Sequence, residues 1–165
     1  VLLKVINNYF YKTKKKLVVL GNSVVFHKEE LNFYKNHFKN INFKFIPNSA
    51  NRKTYEIIDA SNLIISLEST LVYEALSRGK KVINFSMRSN EIPSWGHEFG
   101  WPAPKELNGP FWTTRVDYDE LKNKIIYLEN LKPKDFQKIL NKHVNDLLPY
   151  SYGNTKFNKL IKSIF

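Results

Sequence analysis

Two hydroxyl residues and a carboxylate form the group in this chain with the clearest potential for chemistry. Ser69 and Thr70 follow a short apolar run, and Glu74 comes four residues after Thr70. The pattern predicts a strand, a turn and then a helix over residues 71–78. The first N–H groups of a helix have no partner within it, and the helix dipole favours negative charge there. The turn could therefore hold a phosphate, and Glu74, on roughly the same face as Thr70, could accept hydrogen bonds from two neighbouring ribose hydroxyls.

The same three residues also fit a helix that binds no ligand. Serine and threonine are common at the starts of helices because their hydroxyls accept hydrogen bonds from backbone amides. Glu74 would then be a solvated surface carboxylate. The spacing alone leaves both interpretations open.

The elements around this group predict one βαβ unit. The apolar run Leu63–Ile65 is typical of a strand that is buried on both faces. Gly79 is expected to end the helix, because glycine takes the left-handed conformation without strain. A second apolar strand follows at Val82–Phe85. The order strand, helix, strand predicts parallel pairing with a right-handed crossover.

These residues also carry a resemblance to known families. The segment from Ser69 to Val82 resembles the nucleotide-sugar signature in the C-terminal domain of GT-B glycosyltransferases. UDP-N-acetylglucosamine 2-epimerases have a similar serine-rich turn. More closely, the chain from about residue 16 onward resembles bacterial surface carbohydrate biosynthesis proteins of a proposed transferase type. Val72 departs from the family pattern, in which we expect glycine, and its side chain would narrow the approach to the turn. The motifs that carry this likeness are Tyr55–Asp59, Ser69–Val82, Phe85–Arg88, Phe99–Pro102, Gly109–Thr113 and Gly153–Asn154.

The resemblance implies an α/β fold, a Rossmann-like parallel sheet flanked by helices, as in the C-terminal half of a GT-B fold. Residues 16–165 would form the donor-binding domain, and residues 1–15 a helical connection from an N-terminal domain outside this chain. The implied function is glycosyl transfer from a nucleotide sugar to a glycan acceptor in surface polysaccharide biosynthesis. The isolated chain would then be incomplete for catalysis.

Three further residues follow predicted strands. Asn22 and Ser23 come after the strand Leu17–Leu20, and Arg88 follows the strand Val82–Phe85. Loops at the carboxyl ends of parallel strands bind ligands in open α/β sheets, so Asn22 and Ser23 are candidate donor contacts. The guanidinium of Arg88 could fork onto a phosphate or carboxylate. An ordinary turn and a surface arginine are the alternatives.

Residues 89–115 form a long segment rich in proline, glycine and tryptophan. Long ordered loops often carry function. Its aromatic residues could stack on a base or sugar, or they could anchor the loop on the core. His97 and Glu98 are the adjacent acid–base pair of this loop and are candidates for proton transfer.

Composition narrows the partners. Outside Lys12 and Lys14–Lys16, the net charge of +11 is spread along the chain. It fits an abundance of lysine in the composition, or attraction to anionic ligands, and it makes a weak footprint for nucleic acid. Cysteine is absent and no histidines share metal-ligand spacing, so we expect no metal and no cofactor beyond the nucleotide-sugar substrate. No apolar run approaches the roughly 20 residues that span a bilayer. We expect a cytoplasmic protein with peripheral contact at the inner membrane as an option.

Two other functions remain open. A nucleotide-sugar epimerase of related fold would need acidic and histidine residues from another domain. A non-catalytic basic α/β module would dock on an anionic membrane or on a partner protein. The last alternative predicts liposome association that falls with salt and no affinity for nucleotides.

Overall fold

The computed structural model describes residues 1–48, 53–88, 99–100, 106–144, 147, 151 and 155–164. Helices and strands alternate through most of this part, which confirms the predicted α/β class. The helices in the described residues are α1 (Leu2–Thr13), α2 (His27–His37), α3 (Lys53–Ala60), α4 (Leu71–Ser77), α5 (Tyr118–Asn130), α6 (Pro133–His143) and α7 (Thr155–Ile164). The strands are β1 (Leu17–Leu20), β2 (Phe43–Ile46), β3 (Ile64–Leu67), β4 (Val82–Phe85) and β5 (Trp112–Thr113).

The strands form two short parallel sheets flanked by helices. In the first, β1 pairs with β2. In the second, the order is β3-β4-β5, with Leu67 opposite Phe85 and Asn84 opposite Trp112. The carboxyl ends of β3 and β4 therefore lie side by side.

The unit β3–α4–β4 follows the predicted order. Gly79 has φ 77°, as expected of a residue that ends a helix in the left-handed conformation. Its N–H donates to the carbonyl of Leu76 at 2.8 Å, and the N–H of Lys80 donates to Ala75 at 2.9 Å. The two bonds satisfy carbonyls at the end of α4 and turn the chain toward β4.

Burial differs between the two strands of this unit. All four residues of β4 are buried, because β4 lies between β3 and β5. The residues of β3 are half-buried, and Leu67 is exposed. The run Leu63–Ile65 was predicted to be buried on both faces. Ile64 and Ile65, which lie on opposite faces, are each half-buried and pack against the core, so the burial is partial.

The first helix belongs to the core. Its residues Leu2, Ile6, Tyr9 and Phe10 are buried, and α1 packs against α5. Beyond α1, Lys15 Nζ lies 2.5 Å from a carboxylate oxygen of Glu129, the next-to-last residue of α5.

Aromatic rings pack the start of β5 onto the core. Trp112 is buried, and its ring lies 4.3 Å from that of Phe99 at an angle of 7°. The indole N–H donates to the carbonyl of Glu106 at 2.6 Å. Trp112 therefore anchors the chain and is not free to stack on a ligand, whereas Trp95 and Trp101 lie outside the described residues.

No helix in the described ranges combines the length and the apolar character needed to cross a bilayer.

The start of α5 yields a test of the fold. Asp117 caps the helix by accepting from the N–H of Glu120 at 2.8 Å, and this bond lowers the pKa of the Asp117 carboxyl. Asp117→Ala should lower the free energy of unfolding by about 1 kcal/mol in urea titrations near neutral pH. Equal stability of the variant and the parent protein would contradict the cap.

The same pKa gives a pH dependence. A carboxyl whose pKa is lowered by folding stabilises the fold above its unfolded pKa of about 3.9, and this stabilisation is lost as the pH falls through the native pKa. Asp117→Asn retains an accepting side chain but does not titrate. Its stability should approach that of the parent protein as the pH is lowered from about 7 toward about 3.

Candidate functional site

The carboxyl ends of β3 and β4 are joined by a buried network of polar side chains. Asn84 and Ser86 are both buried although they carry polar groups. The N–H of Glu68 donates to Asn84 Oδ1 at 3.1 Å, and Asn84 Nδ2 donates to Ser86 Oγ at 3.1 Å. The amide of Asn84 thus fixes the loop after β3 to the strand beside it.

Glu68 has an unusual backbone. Its φ is 49°, the left-handed region that residues with a side chain seldom adopt. Its side chain is only 6% exposed. Strained conformations of this kind persist when the surroundings hold them, and they cluster at functional sites. The hydrogen bond from the N–H of Glu68 to Asn84 helps to keep Glu68 in this conformation.

The carboxylate of Glu68 holds Arg88 at two points. Oε1 accepts from the backbone N–H of Arg88 at 2.5 Å. Oε2 lies 3.0 Å from Arg88 Nε as an ion pair, although their alignment does not make a hydrogen bond. The side chain of Arg88 is 60% exposed, so this end of β4 presents a positive charge to solvent. Arg88 was a predicted site residue, whereas Glu68 was not.

Ser69 and Thr70 form an exposed turn immediately after Glu68. Ser69 Oγ accepts from the N–H of Leu71 at 3.3 Å, and Thr70 makes no side-chain capping bond. The N–H groups of Val72 and Tyr73 donate to the carbonyls of Ser69 and Thr70 at 3.0 and 3.1 Å. The expectation that these amides lack partners is therefore wrong, because the first turn of α4 closes on itself. The hydroxyls are the groups that the turn offers to solvent.

Val72 does not narrow this turn as we expected. Its side chain is almost fully buried within the core. Val72 therefore contributes to packing at the position where the resemblance led us to expect glycine.

Glu74 is linked to the neighbouring helix α3. Its Oε2 accepts from the hydroxyl of Tyr55 at 2.5 Å. The guanidinium of Arg78 lies 5.5 Å from the centre of the Tyr55 ring and pairs with Asp59, whose pKa it lowers chiefly through a hydrogen bond. The role of Glu74 in binding ribose stays a prediction, and a ribose would share the carboxylate with Tyr55.

Asn22 and Ser23 bind a carboxylate of the chain itself. The N–H of Asn22 donates to Glu30 Oε1 at 2.7 Å, and that of Ser23 donates to Oε2 at 3.3 Å. A Cβ on Gly21 would lie 2.8 Å from Glu30 Oε2, so glycine permits the close approach. Ser23 Oγ also accepts from two amides at the start of α2. This loop belongs to the other sheet, and no described contact joins it to Ser69 or Arg88.

Sequence reasoning missed the three residues that organise the edge of the second sheet: Glu68, Asn84 and Ser86. Glu68 and Asn84 each had a local signal. Glu68 is a carboxylate directly after a strand, and Asn84 interrupts an otherwise apolar strand. His97 and Glu98, the predicted proton-transfer pair, lie outside the described residues. Within the described part of the chain, no three histidine or carboxylate side chains converge in a way that could hold a metal ion.

Asn84 offers a test of the network. Asn84→Ala removes the acceptor of the Glu68 N–H and the partner of Ser86, so one half-buried amide and one buried hydroxyl each lose a hydrogen bond. We expect the free energy of unfolding to fall by about 1–3 kcal/mol. Asn62→Ala, at an exposed position before β3, is the control and should change little. Equal effects of the two substitutions in urea unfolding would show that the network adds no stability.

A comparison with known protein families gives a match over almost the whole chain. Residues 1–164 match the model of a family described as "putative O-antigen biosynthesis protein". No curated protein and no solved structure matches the chain.

Proposed function

Because the chain belongs to this family of O-antigen biosynthesis proteins, we propose that it binds the nucleotide-sugar donor of a glycosyltransferase at the carboxyl edge of β3 and β4. The family match supports a role in surface polysaccharide biosynthesis. The finer assignment, transfer from a nucleotide sugar, rests on the groups at this edge. It is supported by the resemblance of Ser69–Val82 to the GT-B signature.

The observation that carries the proposal is the Glu68–Arg88 pair. Glu68 contacts the Nε edge and the backbone N–H of Arg88. Arginine carries four more N–H donors on its two Nη atoms, and no described residue takes a hydrogen bond from them. A guanidinium held at one edge loses less freedom when it forks onto a phosphate with the other edge. Glu68 would thus position Arg88 for an anionic ligand.

The hydroxyls of Ser69 and Thr70 extend the same edge. They directly follow Glu68 and are exposed. A diphosphate that reached Arg88 could accept hydrogen bonds from them. Glu74 lies one helical turn further on and would accept from ribose hydroxyls beside Tyr55.

In this proposal the edge stabilises charge and performs no proton transfer. When the bond between sugar and nucleotide breaks, negative charge grows on the departing phosphate. Donors that are already oriented toward it lower the barrier, because they need no reorganisation during the reaction. Arg88 and the two hydroxyls would be these donors. The base that activates the glycan acceptor would come from elsewhere, either from His97 and Glu98 or from an N-terminal domain of a GT-B fold.

The guanidinium can be tested directly. Arg88→Gln should weaken binding of the preferred nucleotide sugar about ten- to hundredfold, because a hydrogen bond to a charged group is worth roughly 1.5–3 kcal/mol. Arg88→Lys keeps the charge but not the forked pair of donors, so its affinity should lie between those of the parent protein and Arg88→Gln. A thermal-shift panel of UDP-, GDP-, CMP- and dTDP-sugars identifies the ligand, and isothermal titration measures the affinity.

Lys138→Gln is the control, since it removes one positive charge from an exposed position on α6. Its nucleotide affinity should equal that of the parent protein. If no nucleotide sugar raises the melting temperature of the parent protein, or if Arg88→Gln and Lys138→Gln bind alike, the proposed donor site is wrong.

The hydroxyl turn needs a separate test. Ser69→Ala combined with Thr70→Ala should weaken nucleotide binding at least about tenfold, because each hydrogen bond lost to a charged phosphate is worth roughly 1.5–3 kcal/mol. Glu74→Gln should weaken binding of the same ligand by removing the stronger acceptor for ribose. Ser163→Ala, an exposed hydroxyl on α7, is the control. Affinities that match the control in isothermal titration would remove the turn and Glu74 from the site.

A further inference from the structure

The helix α7 exposes an apolar face. Leu160, Ile161 and Ile164 are 58%, 39% and 64% exposed, and none belongs to the core. Their spacing of one, three and four residues places them on one side of the helix. Every side chain described in α7 is exposed.

The other side of α7 is basic. Lys159 and Lys162 are exposed and, by their spacing, lie away from the apolar residues. Residues 147–165 contain lysine at positions 156, 159 and 162 and no aspartate or glutamate. This part of the chain therefore adds positive charge with nothing nearby in sequence to neutralise it.

A helix of this length needs a contact to stabilise it. Isolated helices shorter than about 12–15 residues are marginal in water, and α7 has 10. An exposed apolar face also costs free energy until something covers it. An apolar side opposite a lysine-rich side, without acidic residues, is the pattern of helices that lie in the interface of anionic membranes.

We propose that α7 is a membrane-surface helix that binds anionic phospholipid. Leu160, Ile161 and Ile164 would enter the boundary between headgroups and acyl chains. Lys159 and Lys162 would remain within the negative potential of the surface, which attracts them over about 10 Å at moderate salt. Charge complementarity favours lipid phosphate over a neutral protein surface. This inference does not rest on the proposed donor site, because it uses no residue of that site.

The test uses the full chain and vesicles of two compositions. The protein should sediment with vesicles that contain phosphatidylglycerol, and much less with vesicles of phosphatidylcholine alone. Raising the salt should release it, because screening shortens the reach of the surface charge. Hydrogen exchange should slow specifically in residues 155–164 when the anionic vesicles are present.

Substitutions on the apolar face separate insertion from general attraction. Leu160→Ser with Ile164→Ser should weaken vesicle association at least about tenfold, because two apolar side chains would no longer be buried. Ile126→Ser with Tyr127→Ser changes two exposed apolar residues of α5 and serves as the control. Because all four positions are exposed, both double substitutions should leave the melting temperature of the protein nearly unchanged.

Substitutions of lysine test the charge. Lys159→Gln with Lys162→Gln should weaken association with anionic vesicles about thirtyfold, since each basic residue near such a surface contributes roughly 1 kcal/mol. Lys138→Gln with Lys142→Gln removes the same charge from exposed positions on α6 and should have a smaller effect.

Four results would overturn the proposal: no association with anionic vesicles, equal association with neutral ones, equal effects of the α7 variants and their controls, or no protection of α7 from hydrogen exchange. A dimer in light scattering that Leu160→Ser with Ile164→Ser disrupts would instead assign the face to a second copy of the chain. Nucleotide affinity measured on the α7 variants should be unchanged, so a failure here leaves the donor-site test intact.

Discussion

The parallel pairing of β3 with β4 is the constraint on which the candidate site depends. The register sets Leu67 opposite Phe85, so the residues that follow the two strands emerge at one edge. Asn84, inside β4, reaches across to the amide of Glu68 and holds it in a left-handed conformation. From there the carboxylate of Glu68 reaches Arg88. A shift of one residue in this pairing would turn the side chain of Asn84 to the other face of the sheet and separate these groups.

Carboxylates of the chain occupy several of its own anion-binding groups. Glu30 accepts hydrogen bonds from the amides of Asn22 and Ser23 after β1, and Glu68 forms an ion pair with one edge of Arg88 after β4. The two cases differ in what they leave for a ligand. A phosphate at the first loop would have to displace Glu30. At Arg88, the Glu68 carboxylate contacts the Nε edge of the guanidinium, and in the proposal the Nη donors would bind an incoming anion. This difference is why the second sheet, and not the first, carries the proposed donor site.

The two proposed surfaces have complementary chemistry. The edge of β3 and β4 would bind a charged, water-soluble donor through arginine and hydroxyl groups. The helix α7 would bind lipid through apolar side chains, with lysines that raise the affinity for anionic headgroups. If both act, one chain holds a soluble substrate beside a membrane surface. The two activities are separable, because α7 shares no residue with the donor site.

The sequence by itself determined the α/β class and the order of strand, helix and strand over residues 63–85. The left-handed Gly79 at the end of that helix could be predicted because it depends on neighbours within a few residues. The exposed Ser69–Thr70 turn and Arg88 were identified for the same reason, as polar residues that follow apolar strands.

Tertiary structure alone decided how these residues meet. The bond between Glu68 and Asn84 joins residues 16 apart, and Tyr55 reaches Glu74 from 19 residues away. Such contacts depend on which strands and helices pack together, and local propensity carries no information about that choice. The division of the strands into two sheets and the burial of Val72 and Trp112 have the same origin, since each is settled by the packing of distant segments into one core.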